Sequence, residues 1–311
     1  MKNYAAGIDI GGTNTKLGIV SDQGRILEKI LLSTRDYSTL AKFRKALRSS
    51  IIDLTESLGV NIKGIGIGAP NANIYSGCIE FAPNLPWKGI LNLKEGLDDL
   101  AEVRVTNDAN AAAIGEKLFG AAKDFSDFIV VTLGTGVGGG IYCDSRILYG
   151  KFGFAGEIGH VNAVPGGREC NCGRKGCVEK YCSAGGIVAT ALEISGKFRG
   201  STILEKYDMK SLTTRIIYEA ALEGDEAALK TFDTTARYLA SFFNDLVNIF
   251  SCEAIIISGG VAKSGDLILT PLKKYFEGEL IEFYRNKKIK ILKSALPEQD
   301  AAIIGAASLV L

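Results

Sequence analysis

The chain predicts an α/β fold of two domains. Strand-like apolar runs alternate with amphipathic helical stretches along its length, the pattern of strands covered by helices. A unit of strand, Gly/Thr-rich turn and strand occurs twice, near residue 9 and near residue 134. A length of 311 residues accommodates two domains.

The elements follow in order. Residues 4–10 read as a strand with Asp9 at its end, and Gly11-Gly12-Thr13 as a turn. Leu17 to Val20 resume the strand, and Asp22-Gln23-Gly24 turns the chain into a third run over 25–32. Phe43, Leu47, Ile51, Leu54 and Leu58 recur at helical spacing from Leu40 onwards, and Gly59 ends that helix. Further strands are expected over 63–68 and 102–106, the second running into an Ala-rich helix at 110–119. The second round has a strand at 128–133, a glycine turn and a strand at 141–143, then an irregular cysteine-rich segment over 155–182. Helices are expected at 213–222 and 225–250, where Leu229, Phe232, Ala236, Leu239, Phe243 and Val247 share a face. Strands at 253–258 and 289–292 and a helix over 300–311 complete the chain. The expected division is a smaller domain of 1–107 plus 300–311 and a larger one of 108–299, which contains the segment 155–182.

Composition narrows the function. The 36 basic and 35 acidic side chains leave a net charge of +1, so no global field draws in nucleic acid or an anionic membrane. The first residues turn polar too soon for a signal peptide, and no apolar run approaches the ~18 residues that span a bilayer. Seven cysteines, three of them at metal-ligand spacing, fit reduced thiols and a cytoplasmic setting better than disulfides.

The two turns have the chemistry of a phosphate grip. In Asp9-Ile10-Gly11-Gly12-Thr13-Asn14-Thr15-Lys16, the glycines let backbone N–H groups approach an anion. Thr13 adds a hydroxyl, Lys16 a positive charge, and Asp9 a carboxylate that could hold Mg²⁺ through water. Neither the P-loop nor the dinucleotide-binding glycine spacing is present there. Gly134-Thr135-Gly136 repeats the chemistry, and Gly259-Gly260 is a third turn able to admit a flat base or ribose.

Asp108 lies between a strand and the Ala-rich helix, in Asn107-Asp108-Ala109-Asn110. It could cap that helix, or act as the general base that accepts a sugar hydroxyl's proton during phosphoryl transfer. His160, the single histidine, precedes Cys170, Cys172 and Cys177, so a Cys₃His set for a structural zinc is available. A zinc-bound ring nitrogen would leave the other N–H of His160 oriented between Glu157 and Glu179, a donor and acceptor set suited to a polyol.

These motifs resemble the ROK family of bacterial sugar kinases and repressors, within the actin-like and hexokinase superfamily. The resemblance rests on Asp9–Lys16, Gly66-Ile67-Gly68-Ala69-Pro70, Pro83-Asn84-Leu85-Pro86-Trp87, Asn107–Asn110, Leu133–Gly139, Glu157-Ile158-Gly159-His160 and Cys170–Glu179, and covers almost the whole chain. It implies a two-domain actin-like, ribonuclease-H-like ATPase fold with a zinc-binding insertion and an active-site cleft between the domains. It implies Asp108 as catalytic base and Asn84, Asn107, Asp108, Glu157, His160 and Glu179 around the sugar. Gly11, Gly12, Thr13, Gly134, Thr135 and Gly136 would face the phosphates and Gly259-Gly260 the adenosine, with His160, Cys170, Cys172 and Cys177 on zinc. Two departures stand out. Asn71 occupies a position where the family usually has glycine, so the loop near the sugar is expected to differ. The phosphate motif begins at residue 9, leaving no room before it for the DNA-binding helices that many members carry.

The expected activity is therefore an ATP- and Mg²⁺-dependent hexose kinase of glucokinase type, acting on the 6-hydroxyl. Alternatives are an N-acetylmannosamine or N-acetylglucosamine kinase, a fructokinase, or a sugar-sensing repressor without its DNA-binding domain. The expected partners are sugar and ATP, with no nucleic acid and no membrane, and family resemblance implies a homodimer.

Overall fold

The computed structural model describes residues 3–311. Strands β1 (Tyr4–Ile10), β2 (Asn14–Ser21) and β3 (Ile26–Ser33) precede helix α1 (Leu40–Leu58) and strand β4 (Ile62–Ala69). Short strands β5 (Ala72–Asn73), β6 (Cys78–Glu80) and β7 (Ile90–Asn92) lead to β8 (Glu102–Asn107) and α2 (Asp108–Phe119). Then come β9 (Phe128–Leu133), β10 (Val137–Cys143), β11 (Arg146–Ile147), α3 (Glu179–Cys182), α4 (Ala184–Ser195), α5 (Thr214–Leu222) and α6 (Glu226–Phe250). The chain closes with β12 (Ala254–Ser258), α7 (Asp266–Glu279), β13 (Lys290–Lys293) and α8 (Ala301–Ala307).

The repeated turn unit is the visible part of a larger duplication. One sheet has the order β3-β2-β1-β4-β8, the other β11-β10-β9-β12-β13. In the first, β1, β2 and β3 pair antiparallel, and β1, β4 and β8 run parallel. In the second, β10 and β11 pair antiparallel, and β9, β12 and β13 run parallel. Parallel strands gather their C-terminal ends along one edge, where an open α/β sheet places its binding residues.

The chain forms two compact units. The first runs to Ser126 and adds Gly140–Gly156 and Ser294–Leu311; the second comprises Asp127–Gly139 and Glu157–Lys293. The division thus falls after residue 126 rather than after 107, and α2 belongs to the first unit.

In the first unit, α1 buries Phe43, Leu47, Ile51 and Leu54 on one face. Thr39 caps its start, and Gly59 at φ 63° takes the left-handed conformation that ends it. Phe43 lies 4.8 Å from the Trp87 ring, and Trp87 donates its indole N–H to the Tyr37 carbonyl at 3.0 Å. This anchor fixes the loop carrying Asn84. Helix α8 lies against β1 and β4 so closely that a Cβ at Gly66 would sit 1.8 Å from the Ala306 carbonyl oxygen. Alternate glycines of β4 thus leave room for the C-terminal helix, joining the chain's end to this unit.

In the second unit, α6 buries Phe232, Ala236, Leu239, Phe243 and Val247 as the spacing predicts, but Leu229 is 40% accessible, while its neighbours Ala227 and Ala228 are buried in its place. Helices α4 and α7 and the small β5-β6-β7 sheet have no counterpart in the expected element list. No helix among the described residues is long and apolar enough to cross a membrane.

Candidate functional site

The first unit assembles one set of expected site residues at the C-terminal ends of β1, β4 and β8. Asp9 pairs in register with Lys16 on β2 and Gly68 on β4. The turn that follows is closed by the Gly11 N–H on the Asn14 carbonyl at 2.9 Å. Thr34, which the sequence did not single out, braces it: its N–H donates to the Thr13 carbonyl at 2.8 Å and its hydroxyl to the Gly11 carbonyl at 2.9 Å. Thr13 is exposed, and a Cβ at Gly12 would lie 2.4 Å from the carbonyl oxygen of Asn84, so turn and Asn84 loop touch. Lys16 donates to the Gln299 carbonyl at 3.4 Å, and its charge also acts on Asp9.

Asn107, not Asp108, caps α2: its side-chain oxygen accepts the Ala109 N–H at 2.8 Å. Asp108 is the first helical residue and accepts the same N–H at 2.8 Å. Asp108 is accessible to water, yet protein crowds its carboxylate; that desolvation lifts its pKa above the usual range, against the lowering effect of the Ala109 N–H. Burial pushes Asp9 up to about 6, and the Asp108 charge adds to that while Lys16 opposes it. Two carboxylates of raised pKa, one of them opposed by the charge of the other, fit a divalent cation that would favour their ionised forms.

The Asp9 shift sets a stability prediction. An ordinary Asp titrates near 3.9 when unfolded, so between pH 4 and 6 the folded state holds the extra proton. Above about pH 6 the folded protein carries a disfavoured charge; below pH 4 both states are protonated and the penalty is gone. Asp9→Asn should therefore stabilise the metal-free protein at pH 8 by about 1–2 kcal/mol, discounted for partial exposure, and change little at pH 4. Urea unfolding at both pH values checks this, and an equal effect at both would contradict it.

Asn71 keeps the loop's backbone as a glycine would. It sits at φ 53°, in the left-handed region that Asn tolerates, with its amide donating to the Glu80 carbonyl at 3.2 Å. The departure at this position is absorbed locally.

The second unit assembles the other set. The Gly134 N–H bonds the Gly136 carbonyl at 3.0 Å, and Thr135 is exposed between them. Gly259, at φ 93°, approaches so near that a Cβ would lie 2.5 Å from the Leu133 carbonyl oxygen. The third turn, Gly259-Gly260, thus adjoins the second.

Val137 is held from two sides. Glu179 accepts the Val137 N–H at 3.1 Å, and Gly159 lies where a Cβ would be 2.0 Å from the Val137 carbonyl oxygen. Glu179 therefore has a role beyond the expected sugar contact: one carboxylate oxygen fixes the strand that leaves the glycine turn. His160 ends a short 3₁₀ turn that starts after Glu157. Its Nε2 lies 4.0 Å from the Glu157 carboxylate and its Nδ1 3.7 Å from the Cys170 sulfur.

Donor atoms of His160, Cys170, Cys172 and Cys177 all lie within 4.8 Å of one another. Sulfurs of Cys172 and Cys177 are 3.6 Å apart. A tetrahedral zinc with ~2.3 Å bonds to sulfur separates its sulfurs by about 3.8 Å, so the four residues fit that ion. Burial and the adjacent thiols push Cys177 up to about 12, whereas the Arg174 backbone N–H lowers Cys172. The segment is braced without help from metal: Cys170 N–H bonds the Arg174 carbonyl at 2.8 Å, and Arg174 donates to the His160 carbonyl at 3.2 Å.

Comparison with known proteins agrees with this assembly. The ROK family profile matches residues 5–311. A glucokinase of Halalkalibacterium halodurans is 36% identical over 99% of this chain and 94% of its own. An N-acetylmannosamine kinase of Escherichia fergusonii is 31% identical over 97% of this chain and 96% of its own. The crystal structure of a Streptomyces griseus ROK glucokinase in complex with glucose and AMPPNP superposes with a TM-score of 0.81 at 33% identity, covering 99% of both chains. With its two like-ordered sheets, glycine turns and Cys₃His segment, the chain belongs to the ROK family.

Proposed function

We propose that the chain is an ATP-dependent hexose kinase that phosphorylates the 6-hydroxyl of glucose. The observation that carries this reading is Asp108: a carboxylate of raised pKa, open to solvent at a helix start and held in place by its own helix's N–H. Asn107 relieves it of capping, so Asp108 is left to accept a proton. In the proposed mechanism Asp108 orients the sugar hydroxyl and takes its proton as the bond to phosphorus forms. Amides of the two glycine turns hold the phosphate oxygens, and Gly259-Gly260 receives the nucleoside. Bound Mg²⁺ would neutralise phosphate charge, with Asp9 holding it through water. Glu157, His160 and Glu179, with Asn84 and Asn107, hold the remaining sugar hydroxyls, and zinc fixes the His160 ring.

Support for glucose comes from the relative named glucokinase at 36% identity, against 31% for the N-acetylmannosamine kinase. The same acids and histidine suit either sugar, so the choice is tested by ADP release across glucose, fructose, mannose, N-acetylglucosamine and N-acetylmannosamine. Glucose should give a kcat/KM at least tenfold above the others. A preference for N-acetylmannosamine would support the second reading, and sugar-independent ATP hydrolysis would defeat both.

A further inference from the structure

The geometry points to Arg168 as a positioning residue that fixes Glu179 relative to the metal segment, a role no motif assigns. Arg168 lies two residues before Cys170. All five of its guanidinium N–H donors are engaged. Nε and one Nη2 hydrogen take the Glu193 carboxylate as a fork, at 2.9 and 2.6 Å. The other Nη2 hydrogen reaches the Thr190 hydroxyl at 3.0 Å. Nη1 donates to the Lys180 carbonyl at 2.7 Å and the Gly186 carbonyl at 3.0 Å. The guanidinium also lies over the Tyr181 ring, 4.6 Å from its centre, and the Tyr181 hydroxyl accepts the Arg168 backbone N–H at 2.9 Å.

The targets explain the assignment. Lys180 and Tyr181 follow Glu179 directly on α3, and Gly186 and Thr190 belong to α4. Cys170 and Cys177 would fix the loop between them, and past Val178 the Cys177 carbonyl holds the Lys180 N–H at 2.9 Å. Arg168 closes the base of that loop, tying the segment that enters it to the helix turn on which Glu179 sits. Glu179 in turn holds the Val137 N–H beside the second glycine turn. The connection therefore runs along the backbone from Cys170 to Arg168, by hydrogen bond to Lys180, along the backbone to Glu179 and by hydrogen bond to Val137, all within the second unit. Lysine lacks the planar fork and could not replace these bonds at once.

The kinetic part of this inference rests on the sugar-kinase reading; the structural part does not. Arg168→Met is expected to keep one zinc per chain by elemental analysis. It should raise amide exchange in the peptides covering 179–186 and 134–140, and raise the sugar KM at least tenfold with kcat within threefold. Glu193→Ala, which frees two donors and spares the rest, should move exchange and KM the same way by about threefold. Arg168→Lys should behave like Arg168→Met. Unchanged exchange at 179–186 in zinc-loaded Arg168→Met would overturn the assignment, as would loss of zinc from that variant, which would make Arg168 part of the metal site alone. If the wild-type protein phosphorylates no sugar, the exchange result still decides the positioning role, and the failure then belongs to the proposed reaction.

Discussion

Replacing Asp108 with asparagine is expected to lower kcat by roughly 10²- to 10⁴-fold, the contribution of a positioned general base. The sugar KM should stay within about threefold, because asparagine keeps the shape and can still orient a hydroxyl. Stability should barely move. Asn107 keeps the cap, and the lost interaction of Asp108 with the helix N-terminus is worth only about 0.3–1 kcal/mol at an exposed position. A second effect follows from the first unit's electrostatics: without the Asp108 charge, Asp9 should titrate below its present value of about 6. A large kcat loss with unchanged melting temperature separates proton acceptance from a purely structural role. Near-normal turnover in Asp108→Asn would end the base assignment.

The second large effect is expected at the metal segment. Cys177→Ser, or removal of metal by chelator, should abolish high-affinity zinc binding and raise the sugar KM more than tenfold. Cys177 is wholly buried, and Val178 and Glu179 follow it directly, so loss of its bond to metal frees the residue on which Glu179 depends. The side chain of His160, about one third exposed, would lose the ion that orients it between Cys170 and Glu157. Structural zinc supplies folding energy, so limited proteolysis should cut the metal-free protein first within 157–182. Residual kcat at saturating sugar should persist, since Asp108 and the first glycine turn lie in the other unit. Protein purified without chelator that holds no zinc by elemental analysis would contradict the metal assignment.

Much of the fold was legible because its signals are long, as helical stripes or as apolar runs. The α1 and α6 stripes repeat often enough to declare a helical period, and the buried strands β1, β4 and β9 show as continuous apolar runs. What was missed is short or carries a misleading residue. The strands of the β5-β6-β7 sheet have two or three residues each, too few to alternate. Helix α7 contains Pro271, which reads as a break, and α4 opens on Ala184-Gly185-Gly186. The domain division was misplaced because Asn107-Asp108 looks like a boundary, whereas α2 packs on β4, β8 and α8.

The candidate site divides the same way. Glycine turns, the Asn107–Asn110 motif and the Cys₃His spacing announce themselves because a few residues in sequence carry the chemistry. Arg168 and Thr34 do not, since their work is done by hydrogen bonds to backbone carbonyls that no residue type reveals. The only sequence trace of Arg168 is indirect: Thr190 and Glu193 stand three residues apart, on one face of α4. The capping role fell to Asn107 rather than Asp108, a distinction of one position that only the backbone angles of the turn decide.

The most direct test of the account is where the phosphoryl group goes. Wild-type protein incubated with ATP, Mg²⁺ and ¹³C-labelled glucose should yield ADP and glucose 6-phosphate in equal amounts, seen by NMR as phosphorus coupling at C6. Phosphate at another carbon, or ADP formed with the glucose unchanged, would contradict it.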